Sequence, residues 1–194
     1  MPTVTQTDES PDAATRRRVL DAALAELATT NAGSFTMAAV AERAGLEVRA
    51  VKDIWANTPA LITAALMAYA ARNMPVPDTG SLREDLVGYA KSFAAAVNAP
   101  TGRRLLDAVI ATPTDWDVSG WRYSFFVARR QRVAPLLQRA IERGDCPPDV
   151  DPVRIMDLLT AGLCSPLQFY DRPITDEDCE DVVDLLLNGF RRIR

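Results

Sequence analysis

The chain has 194 residues, 48% of them hydrophobic, a formal net charge of −4 and no histidine. That length suits one large domain or two small ones sharing a core, and the apolar content excludes general disorder. Without histidine there is no imidazole metal ligand, no His general base and no Ser-His-Asp triad, so an enzyme is not expected and no catalytic residue, metal or cofactor is assigned.

No apolar run approaches the ~20 residues that a membrane span needs. The opening MPTVTQTDESPDAATRRR lacks the basic start and apolar centre of a signal peptide, so a cytoplasmic location is expected. Residues 1–12 are polar, Pro-flanked and aperiodic, and are expected to form a disordered tail. From Ala13 the pattern is helical, with Val19, Leu20, Ala23, Leu24 and Leu27 on one stripe. Asn31 and Gly33 are expected to end that helix, and Thr36 to cap the next.

Thr58-Pro59 predicts a cap followed by proline at the first helical position, opening a helix to about Asn73. MPVPDTG is a linker, and Ser81 with Glu84 makes a capping box for a helix through Leu86, Tyr89, Phe93 and Val97. NAPTG separates it from the helix of Leu105, Leu106, Val109 and Ile110. After TPTDWDVSG a long helix is predicted from about Trp121 to Arg143, with a bend at Pro135. Asp151-Pro152 starts another, kinked at Pro166, and DRPITDED opens the last with carboxylates suited to the positive end of a helix dipole. Cys146, Cys164 and Cys179 form no C-x-x-C pair, so free thiols are expected rather than a zinc site or a disulfide framework. No stretch alternates with period two. The expected fold is all-α, with about nine helices.

The segment FTMAAVAERAGLEVRAVKDIW, from Phe35 to Trp55, holds two short helical patterns pinched around Ala44-Gly45-Leu46. A helix-turn-helix needs a small residue at the crossing, a flexible one at the turn and apolar anchors on the second helix. Ala41 supplies the first, Gly45 the second, and Leu46, Val51 and Ile54 the third, with Val40 facing them. The functional reading places the second helix, about Val48 to Trp55, in a DNA major groove. The plain alternative is an αα-corner in a helical bundle.

The wider pattern TRRRVLDAALAEL…SFTMAAVAERAGLEVRAVKDIWANTPALITAAL resembles the N-terminal DNA-binding domain of TetR-family transcriptional repressors. Its markers are Val19 to Ala23, Thr36, Val40-Ala41, Ala44-Gly45-Leu46, the aromatic Trp55 and Leu61; LLQRAIERGDCPPDVDP extends the likeness loosely into the C-terminal part. The resemblance implies a helix-turn-helix DNA-binding domain over residues 13–56 and a ligand-binding and dimerisation domain over residues 57–194. It also implies a ligand-responsive repressor acting as a homodimer on a pseudo-palindromic double-stranded DNA operator. Carried over by position, Thr36 matches a threonine that touches phosphate, and Glu47, Val48, Arg49 and Ala50 face base edges, with Asp53 on the same helix. Lys52 stands where the family usually has a phosphate-binding tyrosine, and Thr58 where it commonly has a lysine. Arg17, within Arg16-Arg17-Arg18, either grips phosphate beside the groove or belongs to a merely solvated helix start.

Residues 1–60 carry six basic and eight acidic side chains, so few phosphate contacts and weak nonspecific binding are expected. Bidentate contact from Arg49 to guanine still discriminates by roughly 1–3 kcal/mol. The acidic balance motivates an alternative function, a small-molecule-binding or protein-interaction dimer with a vestigial DNA-binding head.

The resemblance implies an effector cavity in the C-terminal helices, with Tyr89, Phe93, Trp116, Trp121 and Phe125 as its candidate lining, which favours an apolar or aromatic small molecule; for most of them plain core is the alternative reading. Arg103 and Arg104 are the alternative, an anion site, although exposed arginine is the plainer reading. VVDLLLNGF is apolar on more than one face, which points to a subunit interface. Two such helices from each of two copies form a twofold four-helix bundle, setting two heads into successive major grooves.

Overall fold

The computed structural model describes residues 11–30, 34–111 and 119–190, and among these every regular element is a helix. In order they are α1 (Pro11–Thr29), α2 (Met37–Ala44), α3 (Val48–Ile54), α4 (Thr58–Asn73), α5 (Leu82–Asn98), α6 (Pro100–Ala111), α7 (Ser119–Arg143), α8 (Pro152–Phe169) and α9 (Asp176–Phe190). The all-α expectation and its helix count hold. Residues 1–10, the terminators Asn31 and Gly33, and the closing Arg191-Arg192 lie outside the described residues. Among the described residues no single helix is long and apolar enough to cross a membrane.

Caps set most helix starts, with four local corrections. Thr36 Oγ1 accepts from Ala39 N (3.1 Å) and Asp151 Oδ1 from Val153 N (2.9 Å), as their sequence positions require. At α4 the cap is Asn57 rather than Thr58: Asn57 Oδ1 accepts from Ala60 N (2.9 Å), and Thr58 and Pro59 form the first turn. An amide oxygen one residue upstream reaches the orphan N–H groups and leaves proline where its missing N–H costs nothing. Helix α1 begins at Pro11, so residues 11 and 12, expected in the disordered tail, are helical, with proline in the first turn where its missing N–H costs nothing. The capping box at α5 is half made, since Ser81 Oγ accepts from Glu84 N (3.4 Å) while Ser81 N donates to Thr79 Oγ1 (3.3 Å). The break between α5 and α6 shrinks to Ala99.

Packing divides the apolar side chains into two cores. One joins Val19, Ala23 and Leu27 of α1 to Val40 and Ala41 of α2, Val51 of α3, and Leu61, Ile62 and Ala65 of α4. It is closed by Leu105, Ala108 and Val109 of α6 and by Trp121 and Phe125 of α7. The second joins Leu86, Tyr89 and Phe93 of α5 to Leu136, Leu137 and Ala140 of α7, Leu159 and Leu163 of α8, and Cys179 and Val183 of α9. The N-terminal helices therefore do not bury themselves alone; α6 and the start of α7 complete them.

The linker after α4 is strapped down rather than loose. Arg132 Nη1 donates to Met74 O (2.8 Å), and Arg139 Nη2 donates to Pro77 O (2.6 Å). Fully buried Asp85 accepts from Thr79 N (2.7 Å) and Thr79 Oγ1 (2.8 Å), and Arg143 Nη2 lies 3.8 Å from its second oxygen. A buried carboxylate is tolerated when hydrogen bonds and a nearby cation replace water.

Candidate functional site

Gly45 turns the chain in the left-handed region, at φ 64° and ψ 41°. Gly45 N donates to Glu42 O (3.0 Å) and Leu46 N to Ala41 O (2.9 Å), a Schellman closure that stops α2 within one turn. Helix α3 restarts at Val48 and runs seven residues. Val51 is fully buried and Trp55 nearly so, while Leu46 and Ile54 pack on the same core, so one side of α3 is fastened to α1 and α2.

The other side faces outward. Glu47, Arg49, Lys52 and Asp53 are exposed, with half-buried Val48 and Ala50 beside them. Arg49, Lys52 and Asp53 share a face through i, i+3 and i+4 spacing. Neither the Arg49 nor the Lys52 side chain makes a hydrogen bond or ion pair with another described residue. Exposed Thr36 stands at the start of α2; its oxygen is occupied by the cap, leaving its hydrogen to donate outward. Arg17 is exposed on α1, and Thr58 is half-buried in the first turn of α4.

Not all the nearby cations face outward. Arg43 donates to Glu26 Oε2 through Nη2 (2.9 Å) and Nε (3.3 Å), and Glu26 is only 8% exposed. That pair ties α2 to α1. The Arg16 guanidinium lies 5.8 Å from the Trp55 ring centroid, and Arg16 Nε is 3.8 Å from Asp12 Oδ2, so Arg16 braces the end of α3 against α1. Arg43 and Arg16 are thus engaged with α1 and with the end of α3, while Arg49 and Lys52 stay exposed on the outer side of α3.

A cavity of about 640 Å³ opens between α4, α5, α6, α7 and α8. Its wall is largely apolar, including Leu66, Phe93, Val97, Leu105, Val109, Phe125 and Phe126, with exposed Ile110 and Phe169 also lining it. Polar groups are few: Arg129, Arg130, Asp157, Thr160 and Gln168, with Tyr69 and Cys164. Of the residues expected from the sequence, Phe93 and Phe125 line the cavity. Tyr89 lies behind the wall, its hydroxyl accepting from Arg129 Nε (3.3 Å). Trp121 is not in the lining: it is buried in the first core, where its carbonyl accepts from Thr63 Oγ1 (3.3 Å). Trp116 lies outside the described residues.

Neither Arg103 nor Arg104 lines the cavity. Arg103 is engaged with Asp107 (3.2 Å) and Leu167 O (3.3 Å), and Arg104 is exposed. Sequence reasoning missed Arg129, Thr160 and the α6 wall. Within VARRQRVA nothing distinguishes an inward arginine from its solvated neighbours. Leu105, Val109 and Phe125 belong both to the cavity wall and to the core beneath α1–α4, so a molecule in the cavity touches side chains that also support the head.

Helices α8 and α9 pack together at Gly162, where an added Cβ would lie 3.1 Å from Val182 Cγ1. Their outer faces present Leu158 (51% exposed), Val153 and Leu185 (73% exposed).

Residues 76–186 match the family described as Tetracyclin repressor-like, C-terminal domain. The chain is 28% identical over 186 residues to the HTH-type transcriptional regulator YdeS of Bacillus subtilis (strain 168), covering 94% of this chain and 91% of that one. It is 28% identical over 148 residues to the HTH-type transcriptional regulator AqdR of Rhodococcus erythropolis, covering 76% and 71%. Among solved structures, the TetR family transcription regulator SCO0332 superposes with a TM-score of 0.73 at 29% identity, covering 90% of this chain and 97% of that one.

Proposed function

The chain belongs to the TetR family of HTH-type transcriptional regulators, and from that premise we propose that it is a ligand-responsive repressor that docks as a homodimer on a pseudo-palindromic DNA operator. Regulators of this family are not enzymes; they bind DNA operators and dimerise. The observation that carries the reading is the outward face of α3, where Arg49 and Lys52 stand exposed and unpaired among the described residues while Val51 and Trp55 fix the helix from behind.

In this reading residues 13–56 read DNA and residues 57–194 bind the effector and dimerise. Arg49 contacts a guanine edge with Val48 and Ala50 beside it, and Lys52, Thr36 and Arg17 hold phosphates. Glu47 and Asp53 exclude register shifts that would bring a phosphate against them. Thr58 contributes an uncharged contact. The 640 Å³ cavity is of a size that takes a small molecule, and Leu158 and Leu185 mark the faces of α8 and α9 that meet a second copy.

Gel retardation on DNA from upstream of its own gene tests this. Wild type is expected to retard that DNA at low salt. Arg49→Ala should weaken specific binding by about 1–3 kcal/mol, and Lys52→Ala should weaken all sequences alike and lower the salt slope by about one. A folded dimer that retards nothing at low salt would favour the second reading, an interaction dimer with a vestigial head. That reading draws on the acidic balance of residues 1–60 and on the loss of Arg43 to Glu26.

A further inference from the structure

We infer that the cavity takes an amphipathic carboxylate, its carboxylate group on the Arg129 guanidinium and its aromatic or acyl body against Phe93, Val97, Leu105 and Val109. This rests on reading the cavity as the effector site.

A cation set into an apolar wall is unfavourable unless an anion meets it. Among the described residues no carboxylate lies within ion-pair distance of Arg129. The one carboxylate in the lining, Asp157, is taken by Arg130 through two contacts (3.3 and 2.6 Å), so those two charges cancel. The lining is left with a single uncompensated positive charge.

Arg129 is also held in place. Its Nε donates to Tyr89 Oη (3.3 Å), its Nη2 donates to Thr160 Oγ1 (2.9 Å), and its Cζ lies 5.2 Å from the Phe93 ring centroid. These partners are neutral: they orient the guanidinium without cancelling its charge. Thr160 Oγ1 in turn donates to Met156 O (2.8 Å), which fixes the hydroxyl with its oxygen toward the arginine. A planar donor fork, oriented in advance and facing an apolar chamber, matches the flat two-oxygen geometry of a carboxylate. One negative charge balances the site, whereas a phosphate dianion would bury a second charge without a partner.

Calorimetric titration of the full-length protein with 4-phenylbutyrate and decanoate, each against its uncharged primary amide, tests the inference. Wild type is expected to bind the carboxylates at least about tenfold more tightly than the amides, the scale of a hydrogen bond to a charged group. In Arg129→Gln that preference should vanish with amide binding retained, and Arg129→Lys should restore part of it. Equal affinity for acid and amide in wild type, or a preference that survives in Arg129→Gln, overturns the anionic assignment and leaves the cavity standing. No binding of any of the four compounds overturns it as well. Gel retardation with the same wild-type preparation then separates that failure from failure of the regulator reading. The wild-type acid–amide comparison decides the matter even if the glutamine variant does not fold.

Discussion

Asp178 accepts from Arg172 Nη1 (2.6 Å) and Nη2 (2.7 Å), and also from Thr175 N (2.8 Å) and Thr175 Oγ1 (2.9 Å). The Arg172 hydrogen bonds, helped by Thr175 and opposed by partial burial, hold this carboxyl well below the usual carboxylate range. Asp178 N donates back to Thr175 Oγ1 (3.2 Å), so the pair caps the start of α9, one of the two helices proposed to join subunits. A carboxyl depressed in the native state contributes stability that is complete above its unfolded value, near pH 4, and fades as pH falls toward the native one. Asp178→Asn should therefore lower the urea midpoint at pH 7, and the gap from wild type should narrow at pH 3; an equal gap at both would contradict the linkage. Burial, with Asp176 and Asp178 nearby, pushes the Cys179 thiol up to about 11, and Cys146 and Cys164 are raised and buried too, in keeping with structural rather than reactive thiols. The exposure of Arg49 and Lys52 was legible in the sequence because a short helix set off by a glycine turn declares its own faces. The inward placement of Arg129 was not, since it depends on Tyr89 and Thr160, 40 and 31 residues away.

At the scale of the element, two glycines do different work. Gly45 sits at φ 64° with nothing within 4 Å of an added Cβ, so its requirement is conformational alone. Gly45→Ala should cost about 1–2 kcal/mol, read as a Tm lower by roughly 2–4 °C per kcal/mol for a chain of this size. At Gly102 an added Cβ would strike the Ala96 carbonyl and lie 2.6 Å from Tyr69 Oη, which itself donates to Ala96 O (2.9 Å). The Ala96 carbonyl is backbone and cannot yield without opening the α5–α6 junction. Gly102→Ala should thus lower Tm more than Gly45→Ala, and thermal melts giving the reverse order would contradict this packing. Gly45 was legible because turn chemistry is local. Gly102 was not, because NAPTG reads as a break, while packing against α5 and α1 folds all of it but Ala99 and the last residue of α5 into α6. Cap positions slipped by a residue at Asn57 for a related reason: two adjacent polar side chains compete, and only the three-dimensional turn decides which oxygen faces the free N–H groups.

At the scale of the whole molecule, the core beneath the helix-turn-helix is shared. Leu105, Val109 and Phe125 close it from below and also wall the cavity, so cavity occupancy and head position draw on the same side chains. Periodicity showed which residues are apolar but not which core each joins; Trp121 was expected at a ligand and lies under the head instead. The helix-turn-helix, all-α class and family were readable from patterns within single segments, whereas the cavity needed five helices brought together. In the proposed assembly, two copies joined through α8 and α9 present two α3 helices to one DNA duplex. Selection from a random duplex pool by the full-length protein, followed by sequencing, tests it most directly. Such a dimer should enrich an inverted repeat whose half-sites are about one helical turn, or a multiple of it, apart. Leu185→Arg, which sets a charge on the proposed interface, should lose that symmetry together with the dimer. An enriched sequence without twofold symmetry, or the same inverted repeat selected by an Arg49→Ala, Lys52→Ala double variant, would contradict it.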